Sequence, residues 1–318
     1  MTASAAPRLD GKLVTLVGGG GFLGRHAAEA LMRAGARVRI AQRHPKRAFE
    51  VRAIANLGQV QFAAVDATRA DAVARVVTGS DAVVNFVGIL KGDFDRFHVD
   101  VARNVAQAAQ SAGAAMLQMS AIGADAGSPS AYGRSKAAGE AAVRAAHAGA
   151  IILRPSIVFG RGDQFVNRFA GLLSMAPVMP VVAPHTKFQP VFVGDVADAV
   201  RAALADPAHA GRTYELGGPQ ILTMRELLEW IAKSIGRSPL LIDMPDVLAG
   251  AMAGATGWLP GAPITADQWA MLSRDNVVAA GMPGLADLGV VPTSLDAVAA
   301  GWLDIYRRHG RFTGKAAA

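Results

Sequence analysis

The sequence predicts an α/β fold in which a doubly wound parallel sheet is joined to a smaller C-terminal lobe. Three observations predict it. An apolar strand pattern at Leu13–Val17 runs into a glycine cluster and then into a helical pattern. Strand and helix patterns then alternate as far as Leu153, which is typical of parallel sheets covered on both faces. Small or polar residues follow the predicted strands, where such sheets bind ligands.

The glycine cluster is the strongest local signal. Gly18, Gly21 and Gly24 fit G-x-x-G-x-x-G, and Gly19 with the last two fits G-x-G-x-x-G. Glycine permits the sharp turn, the close approach of the backbone to a pyrophosphate and the tight packing of helix on strand. The helix N-terminus then attracts the phosphates. With a second strand at 37–41, the cluster predicts a dinucleotide in a Rossmann-type fold; a plain glycine-rich turn is the alternative.

The other elements of the sheet follow in chain order. Strands are expected at 60–65, 81–87, 115–119 and 150–153, with helices at 22–34, 97–112 and 132–146. After residue 160 the chain is loop-rich, and its prolines are expected to break any long element as far as Pro190. Further on, the sequence predicts short strands at 191–193 and 213–216, a helix at 196–205, and a helix through Ile235 capped by Thr223 and Glu226.

The predicted layout has two parts. Residues 9–160, with returns near 191–218, form the dinucleotide-binding domain, and residues 161–190 and 219–318 form a smaller lobe for a substrate or a partner. The uncharged, Gly/Ala-rich segment 247–259 contains G-x-x-x-G at Gly250 and Gly254. It is too short to span a bilayer, so it is either a buried helix of the lobe or a docking face for a partner or the membrane surface.

The composition excludes several kinds of site. The chain has no cysteine and only scattered histidines, so no metal site is expected. The net charge is +7, but the chain has no long Lys/Arg tract and only 6% aromatic residues. A nucleic-acid partner is therefore not expected. No run reaches the roughly 18 apolar residues of a transmembrane segment, and no signal peptide is recognised at the start. A cytoplasmic location is expected.

Tyr132 and Lys136 form the second motif. Residues four apart on a helix share a face, so both side chains are expected to enter one cleft. An ammonium group beside a phenol is expected to lower the phenol pKa, so that Tyr132 can exchange a proton with a carbonyl or an alcohol near neutral pH. Lys136 can also hold ribose hydroxyls. An ordinary exposed pair is the alternative.

The end of the second strand indicates the choice of cofactor. An NAD site usually has an acidic residue there, which binds the ribose hydroxyls. Here the segment from 41 to 47 has no acid, and Arg43 with Lys46 or Arg47 can pair with a 2′-phosphate, assisted by Arg25. The sequence therefore favours NADP(H) over NAD(H), with solvated surface charge as the alternative explanation.

These motifs, together with Asp66 and residues 154–156, resemble the extended or atypical short-chain dehydrogenase/reductase superfamily. The resemblance covers nearly the whole chain. It implies that Asp66 and Ala67 lie near the adenine and that residues 155–158 lie near the nicotinamide. The candidate cofactor-binding residues are Gly18, Gly20, Gly21, Phe22, Leu23, Gly24, Arg25, Arg43, Asp66, Ala67, Val87, Gly88, Pro155, Ile157 and Val158.

A narrower resemblance rests on five segments. They are residues 128–132, 160–165, 188–196, 259–268 and 274–278. They are similar to the branch formed by the NAD(P)H-binding accessory subunit of respiratory complex I and its bacterial relatives. This resemblance implies a structural or regulatory role in NADH:quinone oxidoreductase. Its partners would be complex I subunits, with the chain peripheral on the inner face of the cytoplasmic membrane.

The candidate catalytic residues are Tyr132, Lys136 and Ser120. A reductase of this superfamily usually places a hydroxyl beside the Tyr–Lys pair, but the position after Ser120 is Ala121. Either Ser120 holds the substrate carbonyl or the triad is incomplete. Three hypotheses remain: the accessory-subunit role; a soluble NADP(H)-dependent reductase, dehydrogenase or nucleotide-sugar epimerase/dehydratase that uses a Ser-Tyr-Lys site; and a redox sensor or assembly factor that responds to the NADPH/NADP ratio.

Overall fold

A computed structural model describes residues 9–256 and 264–308. Its strands, in chain order, are β1 (Leu13–Val17), β2 (Arg37–Gln42), β3 (Val60–Ala64), β4 (Ala82–Asn85), β5 (Ala115–Met119), β6 (Ile151–Pro155), β7 (Val158–Phe159), β8 (Val178–Val181), β9 (Lys187–Phe188), β10 (Val191–Phe192), β11 (Thr213–Leu216), β12 (Leu222–Thr223) and β13 (Leu240–Asp243). Its α-helices are α1 (Phe22–Arg33), α2 (Ala70–Val77), α3 (Val101–Ser111), α4 (Ala131–Ala146), α5 (Val166–Met175), α6 (Val193–Ala205), α7 (Met224–Ser234), α8 (Asp246–Thr256), α9 (Ala266–Leu272), α10 (Leu295–Val298) and α11 (Ala300–Leu303).

The chain divides into two units. Of the described residues, the first unit holds 9–155, 193–216 and 280–291, and the second holds 156–192, 217–256, 264–279 and 292–308. The predicted layout had placed 156–160 in the first part and 280–291 in the second. Segment 280–291 returns to the first unit because the backbone N–H of Glu215, on β11, donates to the carbonyl of Pro283 at 2.9 Å.

The first unit is built on a seven-stranded parallel sheet. The strand order is β11-β6-β5-β4-β1-β2-β3. From β1, the chain adds β2 and β3 on one side of the sheet and then β4, β5, β6 and β11 on the other. Every residue of β1 and β4 is buried, because helices cover both faces of the sheet and leave no solvent side. Helices α2, α3 and α4 pack side by side, and α1 packs on α6. The predicted α/β fold with a doubly wound parallel sheet is confirmed.

The second unit has its own hydrophobic core. Helices α5 and α7 contribute Leu173, Leu227 and Ile231, which pack with Phe159 and Trp302. Three two-stranded sheets surround this core: β7 with β10, β9 with β12, and β8 with β13. The capping box at the start of α7 forms as the sequence predicts, with reciprocal hydrogen bonds between Thr223 and Glu226.

The expectation for residues 160–190 was wrong in part. The segment contains the ten-residue helix α5 and the strand β8, which includes Pro180. Among the described strands, β8 pairs only with β13, so one edge of β8 has no neighbouring strand. Proline is tolerated in such an edge strand because its missing N–H is not needed for a hydrogen bond to a second neighbour.

Helix α8 covers most of the Gly/Ala-rich segment. Ala249 and Ala253 are buried, and a Cβ on Gly250 would lie 3.2 Å from the indole nitrogen of Trp269 on α9. This side of α8 therefore packs inside the second unit, as the buried-helix alternative predicts. Residues 257–263, which belong to the predicted docking segment and to the 259–268 motif, lie outside the described residues.

Candidate functional site

The glycine loop joins β1 to α1 with the predicted close contacts. Gly18 adopts a left-handed conformation with φ of 77°, and a Cβ on Gly24 would lie 2.5 Å from the Cα of Gly19. Gly21 precedes the first turn of α1 and offers no capping side chain. Backbone amides at a helix N-terminus are donors for phosphate oxygens. These residues therefore fit the pyrophosphate of a dinucleotide, with Phe22 and Leu23 in the first turn.

The end of β2 carries an amide in place of the usual acid. Gln42 accepts a hydrogen bond from the Gly20 N–H at 2.9 Å and donates to the His44 carbonyl at 2.8 Å. Arg43, the next residue, is exposed, and its guanidinium lies 5.9 Å from the ring centroid of Phe97. Arg25 forms an ion pair with Glu50, so its charge is already partly compensated.

The end of β3 holds an anionic carboxylate. The hydroxyl and the backbone N–H of Thr68 donate to Asp66 at 2.8 and 3.1 Å, and these bonds lower the pKa of Asp66. The Asn104 side chain donates to the carbonyl of Ala67 at 3.3 Å. Arg96 donates to the Thr68 hydroxyl at 3.3 Å, so its guanidinium, like that of Arg43, lies close to the end of β3.

The end of β4 lies beside the glycine loop. A Cβ on Gly18 would lie 3.1 Å from Val87, and the Val87 N–H donates to the buried side chain of Asn85 at 3.0 Å. A Cβ on Gly88 would lie 3.6 Å from the ammonium of Lys136 and 3.8 Å from Nε2 of His98. The structure therefore brings the predicted residues of β1, β4 and α4 to one place.

Helix α4 presents Tyr132 and Lys136 together, as their spacing predicts. Ser130 caps the helix by accepting a hydrogen bond from the Gly133 N–H at 3.3 Å. The ammonium nitrogen of Lys136 donates to the Met119 carbonyl at 3.2 Å and lies 5.9 Å from the centroid of the Tyr132 ring. The pair therefore lies at the end of β5, within the first unit.

The pKa shifts of the pair differ from the expectation. Burial raises the pKa of Tyr132 to about 12, and it lowers the pKa of Lys136 to about 8 although Glu140 opposes that shift. The prediction that Lys136 lowers the phenol pKa was therefore wrong for this structure. Burial removes the phenolate from water and so disfavours the charged form of Tyr132.

Ser120 is held by an ion network. Its hydroxyl is buried and donates to Glu140 at 2.5 Å. Arg154 donates to both oxygens of Glu140, at 2.9 and 2.6 Å, and to Glu215 at 3.3 Å. The proton of Ser120 is thus directed to a carboxylate. To donate to a substrate carbonyl, the Ser120 hydroxyl would have to break its hydrogen bond to Glu140.

Sequence patterns did not reveal His98. It is buried on the π-helical turn Asp95–Asp100, just before α3. The Ile89 N–H donates to its Nε2 at 3.0 Å, so Nδ1 carries the proton and donates to the Ser135 hydroxyl at 2.8 Å. Ser135 in turn donates to the carbonyl of Tyr132 at 2.8 Å. Burial, with a smaller contribution from Lys136, lowers the pKa of His98 to about 4.

The His98 ring also supports Tyr132 directly. The two ring centroids lie 5.4 Å apart in an edge-on arrangement. Gly139 makes this approach possible, because a Cβ there would lie 2.2 Å from the His98 carbonyl oxygen. Ser135 lies 37 positions from His98, so no local pattern marks the contact between them.

The remaining candidates are divided between the units. Pro155 ends β6 and accepts a hydrogen bond from the Ile122 N–H at 3.0 Å within the first unit. Ile157 and Val158 belong to the second unit, where the Ile157 carbonyl accepts from the Val191 N–H at 2.9 Å. In the described ranges, no three metal-ligating side chains cluster and no helix is long and apolar enough to cross a membrane.

A family model supplies the decisive comparison. The model described as the NAD dependent epimerase/dehydratase family matches residues 14–217. The chain belongs to this family. The match contains the glycine loop, the Tyr132–Lys136 pair and all seven strands of the large sheet, as the resemblance to extended short-chain dehydrogenases predicts.

Some curated relatives of this chain are named as complex I subunits, and one is named as a reductase. The NADH dehydrogenase [ubiquinone] 1 alpha subcomplex subunit 9 of Mus musculus is 33% identical over 310 residues, covering 95% of this chain and 81% of the relative. The ceramide reductase of Caulobacter vibrioides is 32% identical over 270 residues, covering 79% of this chain and 80% of the relative. The resemblance to the complex I accessory subunit is therefore confirmed, and an enzyme is comparably similar.

Solved structures agree on the fold. An NADPH-dependent quinone oxidoreductase from Escherichia coli, complexed with NADPH, superposes with a TM-score of 0.73 at 20% identity, covering 91% of this chain and 98% of that one. The UDP-glucose 4-epimerase of Thermus thermophilus in complex with NAD gives 0.67 at 20% identity, covering 92% and 98%. At this identity they establish the Rossmann-type architecture alone.

Proposed function

We propose that the chain is an NADP(H)-binding protein with a mainly structural or regulatory role in NADH:quinone oxidoreductase. It would associate with complex I subunits at the membrane surface, peripheral on the inner face of the cytoplasmic membrane. The observation that carries this proposal is the 33% identity to a complex I subunit over 95% of the chain, because this similarity extends through both units.

The cofactor part rests on the strand ends of the first unit. The glycine loop offers amides to a pyrophosphate, Gln42 stands where NAD sites carry an acid, and Arg43 is exposed beside it. A guanidinium there can bind a 2′-phosphate through charged hydrogen bonds. Fluorescence titration should give tighter binding of NADPH than of NADH, and equal or tighter binding of NADH would contradict this choice.

The structural role is supported by the state of the catalytic candidates. The hydroxyl of Ser120 donates to Glu140, and Ala121 offers no second hydroxyl. Loss of an oxyanion donor can cost on the order of 3 kcal/mol in the transition state. The raised pKa of Tyr132 also makes the phenolate less accessible near neutral pH. A bound nucleotide would then stabilise the fold without being consumed.

Affinity purification tests the association. The tagged chain, extracted from membranes in mild detergent, should retain complex I subunits, and Tyr132→Phe should retain them equally because the role does not depend on proton transfer. An untagged strain controls for background. Recovery of the chain free of complex I subunits from every fraction would contradict the proposal.

A reductase is the second candidate, and the preserved Tyr132–Lys136 pair with the similarity to ceramide reductase favours it. The glycine loop and Lys136 would hold NADPH, which would supply a hydride for a substrate carbonyl, and Tyr132 would give its proton to the carbonyl oxygen. Ser120 would have to release Glu140 to bind the carbonyl. Turnover of NADPH with ketones, aldehydes or quinones that is abolished in Tyr132→Phe would establish this activity.

A further inference from the structure

The second unit exposes an apolar face that its own core does not use. In the parallel ribbon of β8 and β13, Val178 pairs with Leu240 and Pro180 pairs with Ile242. These four exposed residues form what we call the ribbon face. The alternate residues Met179 and Val181 are buried in the core. A strand pair with one buried side normally presents polar residues on the other side.

The apolar surface extends beyond these four residues along the chain. Met175, before β8, is 81% exposed, and Val247, after β13, is 83% exposed. No charged residue occurs between Gly171 and Pro184. On the β13 side, the exposed Asp243 and Asp246 lie between Ile242 and Val247 in the sequence. Exposed apolar residues grouped in this way are typical of an interaction site.

A cationic groove adjoins the ribbon face. It has a volume of about 320 Å³, and its lining includes Leu240, the three basic residues Arg225, Lys233 and Arg237, and the acidic Glu229. Arg225 pairs with both Asp243 and Glu229, so these three groups together carry one negative charge. Within the described part of the chain, neither Lys233 nor Arg237 has an acidic partner, and the buried Nε of Arg237 has no hydrogen-bond acceptor. The groove thus has donors for an anion.

We infer that the ribbon face and this groove dock on an anionic phospholipid surface. Apolar side chains next to unpaired cations match the interface between acyl chains and phosphate headgroups. A second copy of the chain would oppose one cationic groove with another, and the chain already carries a net charge of +7. The inference identifies the surface behind the proposed membrane location, but it does not depend on binding to complex I.

Vesicle flotation of the full-length chain tests the docking surface. The chain should float with phosphatidylcholine vesicles that contain phosphatidylglycerol and remain unbound with phosphatidylcholine alone. Lys233→Ala with Arg237→Ala should weaken partitioning about fivefold for each charge removed, the factor that corresponds to ~1 kcal/mol per basic residue. Leu240→Ser with Ile242→Ser should weaken it by at least about tenfold, since each loses apolar area.

Matched variants control for net charge and for surface hydrophobicity. Lys12→Ala with Arg33→Ala removes the same charge from the first unit, and Ile54→Ser with Leu57→Ser removes exposed apolar residues there; both pairs should bind vesicles as the parent does. Circular dichroism melts establish that each variant is folded.

Three results would overturn the inference. They are equal binding to neutral vesicles, unchanged binding by the Leu240/Ile242 pair, and a dimer in solution that this pair dissociates, which would identify a second copy as the occupant. If the chain binds vesicles but retains no complex I subunits in the affinity purification, the proposed function is contradicted and the docking surface is still supported.

Discussion

Lys136 is the residue at which the contacts of the site converge. It donates to the Met119 carbonyl, lies over the Tyr132 ring and interacts electrostatically with Glu140. Two buried carboxylates, Glu140 and Glu215, share Arg154 between them, which leaves one negative charge to balance the Lys136 ammonium. Ser120 completes this balanced group as a hydrogen-bond donor to Glu140.

Glu140→Gln should therefore be strongly destabilising. The substitution leaves Arg154 paired only with Glu215 and leaves Lys136 without a counter-charge, and breaking a buried ion pair costs about 3–5 kcal/mol. Urea unfolding measures the change. Asp71→Asn, which breaks the exposed pair with Arg75, serves as the matched control and should leave the free energy of unfolding nearly unchanged. A similar small loss for both variants would contradict the proposed balance of charges.

His98 should make stability depend on pH. Its folded pKa of about 4 lies below the ordinary value of 6.5, so the unfolded chain binds more protons between these values. The contribution of His98 is complete above pH 6.5 and is lost as the pH falls toward 4, with a slope of up to about 1.4 kcal/mol per pH unit.

His98→Asn should remove this slope from the free energy of unfolding, measured by urea titration at several pH values. His44→Asn, at an exposed histidine, should retain it. An identical pH dependence in the parent and in His98→Asn would show that the histidine is not held neutral by the fold.

At the scale of elements, the close packing of α4 on the π-helical turn positions His98 and Tyr132 together. π-Helical turns inside helices are frequent at functional sites. Gly139→Ala should separate the two elements, because the new Cβ would lie 2.2 Å from the His98 carbonyl oxygen. We expect a loss of at least about 2 kcal/mol, in the range of overpacked cores.

Gly254→Ala on α8 is the control for helix propensity. No atom lies within 4 Å of the added Cβ, so this variant should be neutral or more stable by up to about 1 kcal/mol. Thermal melts of both variants give the comparison. Equal behaviour would mean that the contact between Gly139 and the π-helical turn is not tight in solution.

The same scale shows what the sequence could predict. Strands β1, β2, β3 and β5 lie within a residue or two of the predicted ranges. Strand β1 is recognisable because it is buried on both faces and is almost entirely apolar, whereas β2 alternates arginines with the buried Val38 and Ile40. The capping box of α7 depends on residues three apart and was equally visible.

Other features depend on residues that are far apart in the chain. His98 meets Ser135 across 37 positions, and β8 pairs with β13, about 60 residues later, over four residues each. The ion network of Ser120 joins four separate segments. In this network the Ser120 hydroxyl donates to Glu140, whereas the sequence predicted a hydrogen bond to a substrate carbonyl. Neither periodicity nor motif spacing contains this information, so the pKa of Tyr132 could not be deduced from Lys136 alone.

At the scale of the whole molecule, a dinucleotide would link the glycine loop, the ends of β3 and β4, and α4. A ligand that binds only the native chain adds about 2.7 kcal/mol to stability at a hundredfold excess over its Kd. NADPH should therefore raise the melting temperature of the purified chain more than NADH does. In Arg43→Ala the effect of NADPH should fall to that of NADH. Equal shifts in the parent chain would contradict the assignment of Arg43 to the 2′-phosphate.

The nucleotide that the purified chain carries is the most direct test of the central claim. The full-length protein, isolated without added cofactor, is incubated with quinones, ketones and aldehydes and then denatured, and mass spectrometry identifies what is released. We predict NADP(H) as the bound dinucleotide, with its reduced fraction unchanged by any acceptor. Oxidation of NADPH that disappears in Tyr132→Phe, or release of no dinucleotide at all, would contradict the account.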